Sequence, residues 1–217
     1  CESGRMTSHV PVAADHVVTV DDQGRRTGTF ERAAVHTTET PLHLAFSCYV
    51  LDDAGRLLLT RRALAKRTWP GVWTNSFCGH PRWTESTEES IVRHARHELG
   101  LEIADLEVAV PGFRYRAVDA SGVVENEICP VYAARAAGPV EANPDEVMEL
   151  AWADPRDVAR GVAATPWAFS PWMVLQVGAL GGASTAGDGP TAPLAAAFDP
   201  ASAGPRPALE RGGARRA

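Results

Sequence analysis

Apolar and polar positions alternate along several stretches of the chain and take helical spacing along another. Residues 16–20 (His-Val-Val-Thr-Val), followed by Asp21-Asp22-Gln23-Gly24, have the pattern of a strand and a turn. Ala45 to Leu51 is rich in strand formers, Asp52-Asp53-Ala54-Gly55 makes a turn, and Leu57 to Thr60 returns, so a hairpin is predicted there. Phe113 to Val118, the turn Asp119-Ala120-Ser121-Gly122, and Val123 to Ala133 predict a second, longer hairpin. Strand alternation puts Glu125 and Glu127 on one of its faces, with Cys129 further along.

The helical pattern spans Thr87 to Leu99. Ser86 can cap it, Glu89 three residues on completes a capping box, and Gly100 stands at the expected C-terminal position. Ile91, Val92, Ala95 and Leu99 form the apolar stripe, and Glu98 falls on its margin beside Ile91. A carboxylate turned inward there needs a cation or hydrogen bonds to offset desolvation. Short helices are predicted over Asp154–Arg160 and Trp167–Val177. Between Ala63 and Thr84 periodicity is lost, and long irregular segments inside compact domains are often functional. From Gly178 onward the chain is Ala/Gly/Pro-rich, with Phe198 its only aromatic residue. Residues 178–217 are therefore expected to be a disordered tail, residues 1–14 a flexible N-terminus, and residues 15–177 one domain. Truncation after about residue 178 is expected to leave activity unchanged.

A chain of 217 residues with 45% hydrophobic content can bury a substantial core. The net charge of −6 argues against non-specific binding to nucleic acid or anionic membranes. No apolar run reaches the ~18 residues of a membrane span. No signal-peptide pattern opens the chain, and Cys1, Cys48, Cys78 and Cys129 form no close pair. A reducing cytoplasm is the expected setting, and a monomer or weak homodimer the expected state. Lys66 is the single lysine in an arginine-rich chain.

The candidate chemistry centres on Thr74-Asn75-Ser76-Phe77-Cys78-Gly79-His80-Pro81, where a thiol and an imidazole stand two residues apart. His36 and His43 lie upstream and Glu125 and Glu127 downstream. Two carboxylates on one strand face repel unless a cation lies between them, although a solvated hairpin face would also tolerate them. Each histidine, taken singly, suits a structural or surface role as well as a metal. Three nitrogen and two or more oxygen donors make a near-octahedral site. Magnesium or manganese suits the oxygens and zinc the imidazoles, so the metal is open. Arg32, Arg61-Arg62 and Lys66 could converge on a phosphate or diphosphate.

Several further stretches occur in an order that resembles one family. They are His36-Thr37-Thr38-Glu39-Thr40-Pro41-Leu42-His43, Thr60-Arg61-Arg62-Ala63-Leu64, Trp69-Pro70-Gly71-Val72-Trp73, the Cys78 segment, Phe113-Arg114-Tyr115-Arg116, Val124-Glu125-Asn126-Glu127 and Thr165-Pro166-Trp167-Ala168-Phe169-Ser170-Pro171-Trp172. From about residue 15 to 177 the chain resembles the type I isopentenyl-diphosphate delta-isomerases of the Nudix-like superfamily. The resemblance implies an α+β fold, a Nudix-like α/β/α sandwich with mixed sheet. It also implies conversion of isopentenyl to dimethylallyl diphosphate through a tertiary carbocation.

In that reading His36, His43, His80, Glu125 and Glu127 hold Mn2+, Zn2+ or Mg2+. Glu98 and the Cys78 carbonyl hold an Mg2+ that arrives with the diphosphate, and Arg32, Arg62 and Lys66 contact that diphosphate. Cys78 and Glu127 are the acid/base pair, with Tyr115 beside Glu127 and Trp172 facing the cation. A relic of the Nudix pattern also survives in Gly79, Glu85, Arg93 and Glu98-Leu99-Gly100-Leu101. The positions after Arg93 read His94, Ala95, Arg96 and His97, where a Nudix hydrolase needs glutamates, and His94 stands where the isomerases are expected to carry arginine. A Nudix hydrolase of nucleoside diphosphates and a non-catalytic prenyl-diphosphate binding module are the alternative readings.

Overall fold

A computed structural model describes residues 15–183 and 189–202. The expected flexible N-terminus and the last part of the expected tail, residues 203–217, lie outside the described residues. The chain opens with a hairpin of β1 (His16–Val20) and β2 (Arg26–Glu31). A single-turn helix, α1 (Arg32–Val35), leads into His36. β3 (His43–Leu44) and β4 (Phe46–Leu51) follow, separated by Ala45 alone.

β5 (Leu57–Arg62) returns after the expected turn but pairs with β4 only at Leu51 and Leu57. The predicted hairpin splays because two short strands engage its arms. β6 (Trp73–Thr74) pairs with β5, and β7 (Phe77–Gly79) pairs with β4. Strands this short carry no periodic signal, which is why residues 63–84 read as irregular.

α2 (Thr87–Leu99) has the predicted bounds, and its reciprocal Ser86–Glu89 capping bonds are both present. Its buried face is Ser90, Ile91, His94, Ala95, Glu98 and Leu99. The face is thus rotated from the predicted stripe, with Val92 only half-buried and Glu98 well inside.

β8 (Ile103–Val110), β9 (Arg114–Val118), β10 (Val124–Ile128), β11 (Val131–Ala136) and β12 (Val147–Ala153) complete the strands. The long strand predicted over 123–133 is in fact two. Pro130 has no N–H to continue a ladder, and the chain passes there from one sheet to the other. α3 (Pro155–Ala164) is followed by a 3-10 turn at Pro166–Ala168 and by α4 (Pro171–Gly181). The helix expected from Trp167 begins at Pro171, whose fixed φ suits the first helical position.

Among the described residues the smaller sheet has the order β2-β1-β3-β10-β9 and the larger β12-β5-β4-β11-β8, with β6 and β7 attached. β3 runs parallel to β10 in the first, and β4 parallel to β11 in the second. The two strands therefore cross between sheets side by side. Ala45 N–H donates to Ile128 O at 2.9 Å and Ser47 N–H to Pro130 O at 3.1 Å across the crossing.

β4 is buried along its whole length, as a central strand covered on both faces must be. Tyr49 and Leu51 pack with α3 and α4 residues such as Val158 and Met173, whereas Phe46, Cys48 and Val50 pack with Ile91, Ala95 and Leu99 of α2. Helices thus cover both faces of the larger mixed sheet, and the fold is α+β.

The expectation of a disordered tail from residue 178 is corrected for the described part. α4 runs on to Gly181, and a further helix, α5 (Thr191–Phe198), buries Leu194 and Phe198 in the core. The Phe198 ring meets Tyr49 edge-on at 6.4 Å. Glycine here permits close packing, since a Cβ on Gly181 would lie 2.2 Å from the Phe198 carbonyl oxygen.

Candidate active site

His43 and Glu127 are register partners on the parallel strands β3 and β10, and Tyr115 partners Glu127 on the other side from β9. The sheet therefore lays His43, Glu127 and Tyr115 in one row. His43 is fully buried, with Nδ1 2.9 Å from the Pro41 carbonyl oxygen. A carbonyl only accepts, so the proton sits on Nδ1 and Nε2 faces the cluster. Glu127 Oε1 lies 3.5 Å from His43 Nε2 and 3.2 Å from His80 Nε2. His36, at the end of α1, brings its Nε2 to 2.8 Å from Glu125 Oε2.

His36, His43, His80 and Glu127 each offer a donor atom within 4.8 Å of the others. Among the described residues, His36 Nε2, His43 Nε2 and Glu125 Oε2 are buried polar atoms with no hydrogen-bond partner. His36 Nε2 and Glu125 Oε2 are close but misaligned for bonding to each other. Orphaned buried atoms are costly, and these three border the same cluster, as atoms around a cation would. The donor set fits a divalent metal.

Burial disfavours charge on the His43 and His80 imidazoles and on Glu127. Glu127 reverses this at His43, whose pKa is raised, while burial prevails at His80, which falls to about 4. Burial also pushes the Glu127 carboxyl up, but the adjoining His43 and His80 imidazoles hold it well below the usual range. The carboxylate is therefore ionised.

Cys78 sits mid-strand in β7, where its Sγ is 3.2 Å from Ser47 Oγ and donates to Asn75 Oδ1 at 3.3 Å. Burial raises its pKa to about 11, so the thiol is protonated. The Trp172 indole, on the first turn of α4, donates to the same Asn75 oxygen at 3.1 Å. The Tyr115 and Trp172 rings are 5.9 Å apart. Cys78, Glu127, Tyr115 and Trp172 all line one cavity of about 330 Å³.

Arg32, Arg62 and Lys66 line the same cavity and give it a basic rim. Arg62 lies over the Trp172 ring, 5.2 Å from its centroid, and Lys66 is paired with Glu146. The Nudix relic has a structural use here. Arg93 binds Glu85 at 2.7 Å and donates to the His80 carbonyl at 3.1 Å, clamping the Cys78–His80 segment to α2. His94 is buried and pairs with Glu98 at 2.8 Å.

Comparison with known proteins decides the family. Residues 41–173 match the NUDIX domain family. The chain is 57% identical over 162 residues to an isopentenyl-diphosphate Delta-isomerase of Salmonella arizonae, covering 75% of this chain and 89% of that protein. It is 57% identical over 168 residues to one of Clavibacter michiganensis subsp. michiganensis, covering 77% and 87%. The chain belongs to the NUDIX family and, within it, to the isopentenyl-diphosphate Delta-isomerases.

A crystal structure of Deinococcus radiodurans DR0079 shares the fold, with a TM-score of 0.54 and 20% identity over 69% of this chain and 90% of that one. NUDIX membership and the His/Glu cluster together support divalent-metal binding. In this isomerase chain sequence reasoning gave no role to Asn75, Ser47 or Thr68. Thr68 donates to Glu125 Oε1 at 2.7 Å from within the aperiodic segment, and nothing in a single sequence marks it.

Proposed function

We propose that this cavity isomerises isopentenyl diphosphate to dimethylallyl diphosphate, with Cys78 and Glu127 as the acid/base pair. The observation that carries the reading is a protonated thiol and an ionised carboxylate lining one cavity floored by Trp172 and Tyr115. Moving the double bond adds a proton at one carbon and removes another two carbons away. One group gives as the other takes, so their protonation states are exchanged after each turnover and solvent must reset them.

The tertiary cation formed between the two transfers would be quenched by water or by the diphosphate if either reached it. The Trp172 face stabilises it by about 1–2 kcal/mol through the ring quadrupole, and the buried walls exclude water. Tyr115, kept protonated by burial, stands beside Glu127 to hydrogen-bond the carboxyl or relay its proton. Arg32, Arg62 and Lys66 draw the diphosphate to the rim and away from the cation. Lys66 exchanges Glu146 for the ligand when it does so.

His36, His43, His80, Glu125 and Glu127 would hold Mn2+, Zn2+ or Mg2+, and such an ion supplies a fixed positive charge that sets the acidity and orientation of Glu127. The substrate diphosphate would arrive with its own Mg2+, which Glu98 and the Cys78 carbonyl would hold.

Incubation with isopentenyl diphosphate in deuterated water tests the reading. Deuterium appearing in carbon-bound positions of dimethylallyl diphosphate is the expected result. Phosphate release without carbon exchange would point to hydrolysis, against which the exposed Arg96 and His97 and the Glu98-bound His94 already argue. Tight binding with no exchange would leave a non-catalytic module.

A further inference from the structure

We propose that Thr68 is a positioning residue that presents Glu125 to the metal and ties that ligand to the diphosphate-binding Arg62. The inference rests on the metal reading given above and assigns a new part to a residue outside the ligand set. Thr68 is buried, and its hydroxyl donates to Glu125 Oε1 at 2.7 Å. That bond occupies one carboxylate oxygen and leaves Oε2, the orphaned atom, as the one turned to the His36 imidazole.

A carboxylate with two equivalent oxygens needs such a bond to stay in a single rotamer, and ligand orientation of this kind is what outer residues supply to metal sites. The same residue grips Arg62 from the other side. Its carbonyl accepts from Arg62 Nε at 3.1 Å and Nη2 at 2.9 Å, and its hydroxyl also accepts from Nη2 at 3.3 Å. One side chain and its own carbonyl thus join a metal ligand to a cation of the phosphate rim.

The backbone around Thr68 is held in an unusual state. The next residue, Trp69, has φ +42, which a bulky side chain rarely adopts. Such conformations persist where surrounding contacts over-determine them. Here those contacts are Thr68 to Glu125, Arg62 to the Thr68 carbonyl, and the Trp69 ring edge-on to Trp172 at 5.5 Å. The loop is spent on placing the Thr68 hydroxyl and carbonyl, and a residue that only filled space would not require it.

The test uses the full chain without substrate and titrates Mn2+ by calorimetry into wild type, Thr68→Val, Thr68→Ser and His43→Ala, with apo melting temperatures measured in parallel. Valine keeps the shape and the carbonyl but removes the donor, so Mn2+ affinity is expected to fall roughly 10–100-fold. Serine keeps the donor, so its affinity is expected to stay within about threefold of wild type. A lowered apo melting temperature with Mn2+ affinity unchanged in Thr68→Val would overturn the proposal and leave the hydroxyl a purely structural role. If Thr68→Val does not fold, Thr68→Ser decides: an affinity loss despite the retained hydroxyl overturns it. If wild type has no tight Mn2+ site, or His43→Ala keeps it, the metal reading itself fails and takes the proposal with it.

Discussion

The Cys78 thiol and the Trp172 indole donate to one and the same atom, Oδ1 of Asn75, at 3.3 and 3.1 Å. Thr74 Oγ1 donates there too at 3.0 Å, while the Asn75 amide donates to the Cys48 and Phe77 carbonyls at 3.0 and 2.8 Å. The sulfur proposed for acid/base work and the aromatic wall are therefore placed by a single fully buried side chain. Asn75→Asp would turn the donating end into an oxygen facing two carbonyls. A loss of about 3 kcal/mol in stability and a large fall in kcat are expected. Urea unfolding beside steady-state kinetics checks this, and unaltered turnover in a folded variant would refute the shared placement.

Cys78→Ala and Glu127→Gln should each lower turnover by about 10²–10⁴-fold, the usual worth of a positioned acid or base. Both changes keep the side chains near their native size, so circular dichroism should remain native-like. Near wild-type turnover in either variant would remove that residue from the proton transfers.

A Cβ at Gly79 would lie 2.5 Å from His94 Nε2. Gly79→Ala should therefore destabilise by about 1–3 kcal/mol and push His94 off Glu98. The cost should shrink when His94 is already alanine, since the clashing ring is then gone. Equal costs in the two backgrounds, measured by thermal melting of all four proteins, would show that the clash is relieved elsewhere.

Burial pushes the Glu85 carboxyl up, but the Arg93 guanidinium outweighs it and holds the pKa at about 2, against an ordinary 4.5. The folded value lies below the unfolded one. The pair's stabilisation is thus fully present above about pH 4.5 and fades as pH falls toward 2. Glu85→Gln should cost about 1–2 kcal/mol at neutral pH, allowing for the solvent that reaches the pair, and the two proteins should converge near pH 2. A gap that stays constant across this range would refute the assignment.

Phe198→Ala should cost about 3–4 kcal/mol, because it opens a cavity against Tyr49 and Leu180. Truncation at 178, which the composition suggested would be harmless, should destabilise the fold more strongly by removing α5 and the end of α4. A denaturation midpoint unmoved by either change would show that α5 adds nothing to the core.

Features written into a few neighbouring residues were legible in the sequence. The caps of α2 are local, so Ser86, Glu89 and Gly100 set its ends correctly. The candidate His/Glu cluster was legible because His36, His43, His80 and Glu127 are chemically distinctive residues in recognisable segments. Features that arise from tertiary placement were not. β6 and β7 exist only because β4 and β5 separate to receive them. α5 hides in alanine and glycine, and its one periodic mark is Leu194 with Phe198 a turn later. Asn75 and Thr68 look like ordinary polar loop residues until Trp172 and Glu125 arrive from far along the chain.

The side-by-side passage of β3–β4 and β10–β11 between sheets couples assembly to reactivity. His43 and Glu127 meet across a sequence separation of 84 residues, a contact that forms only after costly loop closure. Neither sheet can zip up alone, because each owns half of both ribbons. A half-formed protein should thus have no partly competent centre, and the capacity to bind metal should emerge together with global cooperativity rather than ahead of it.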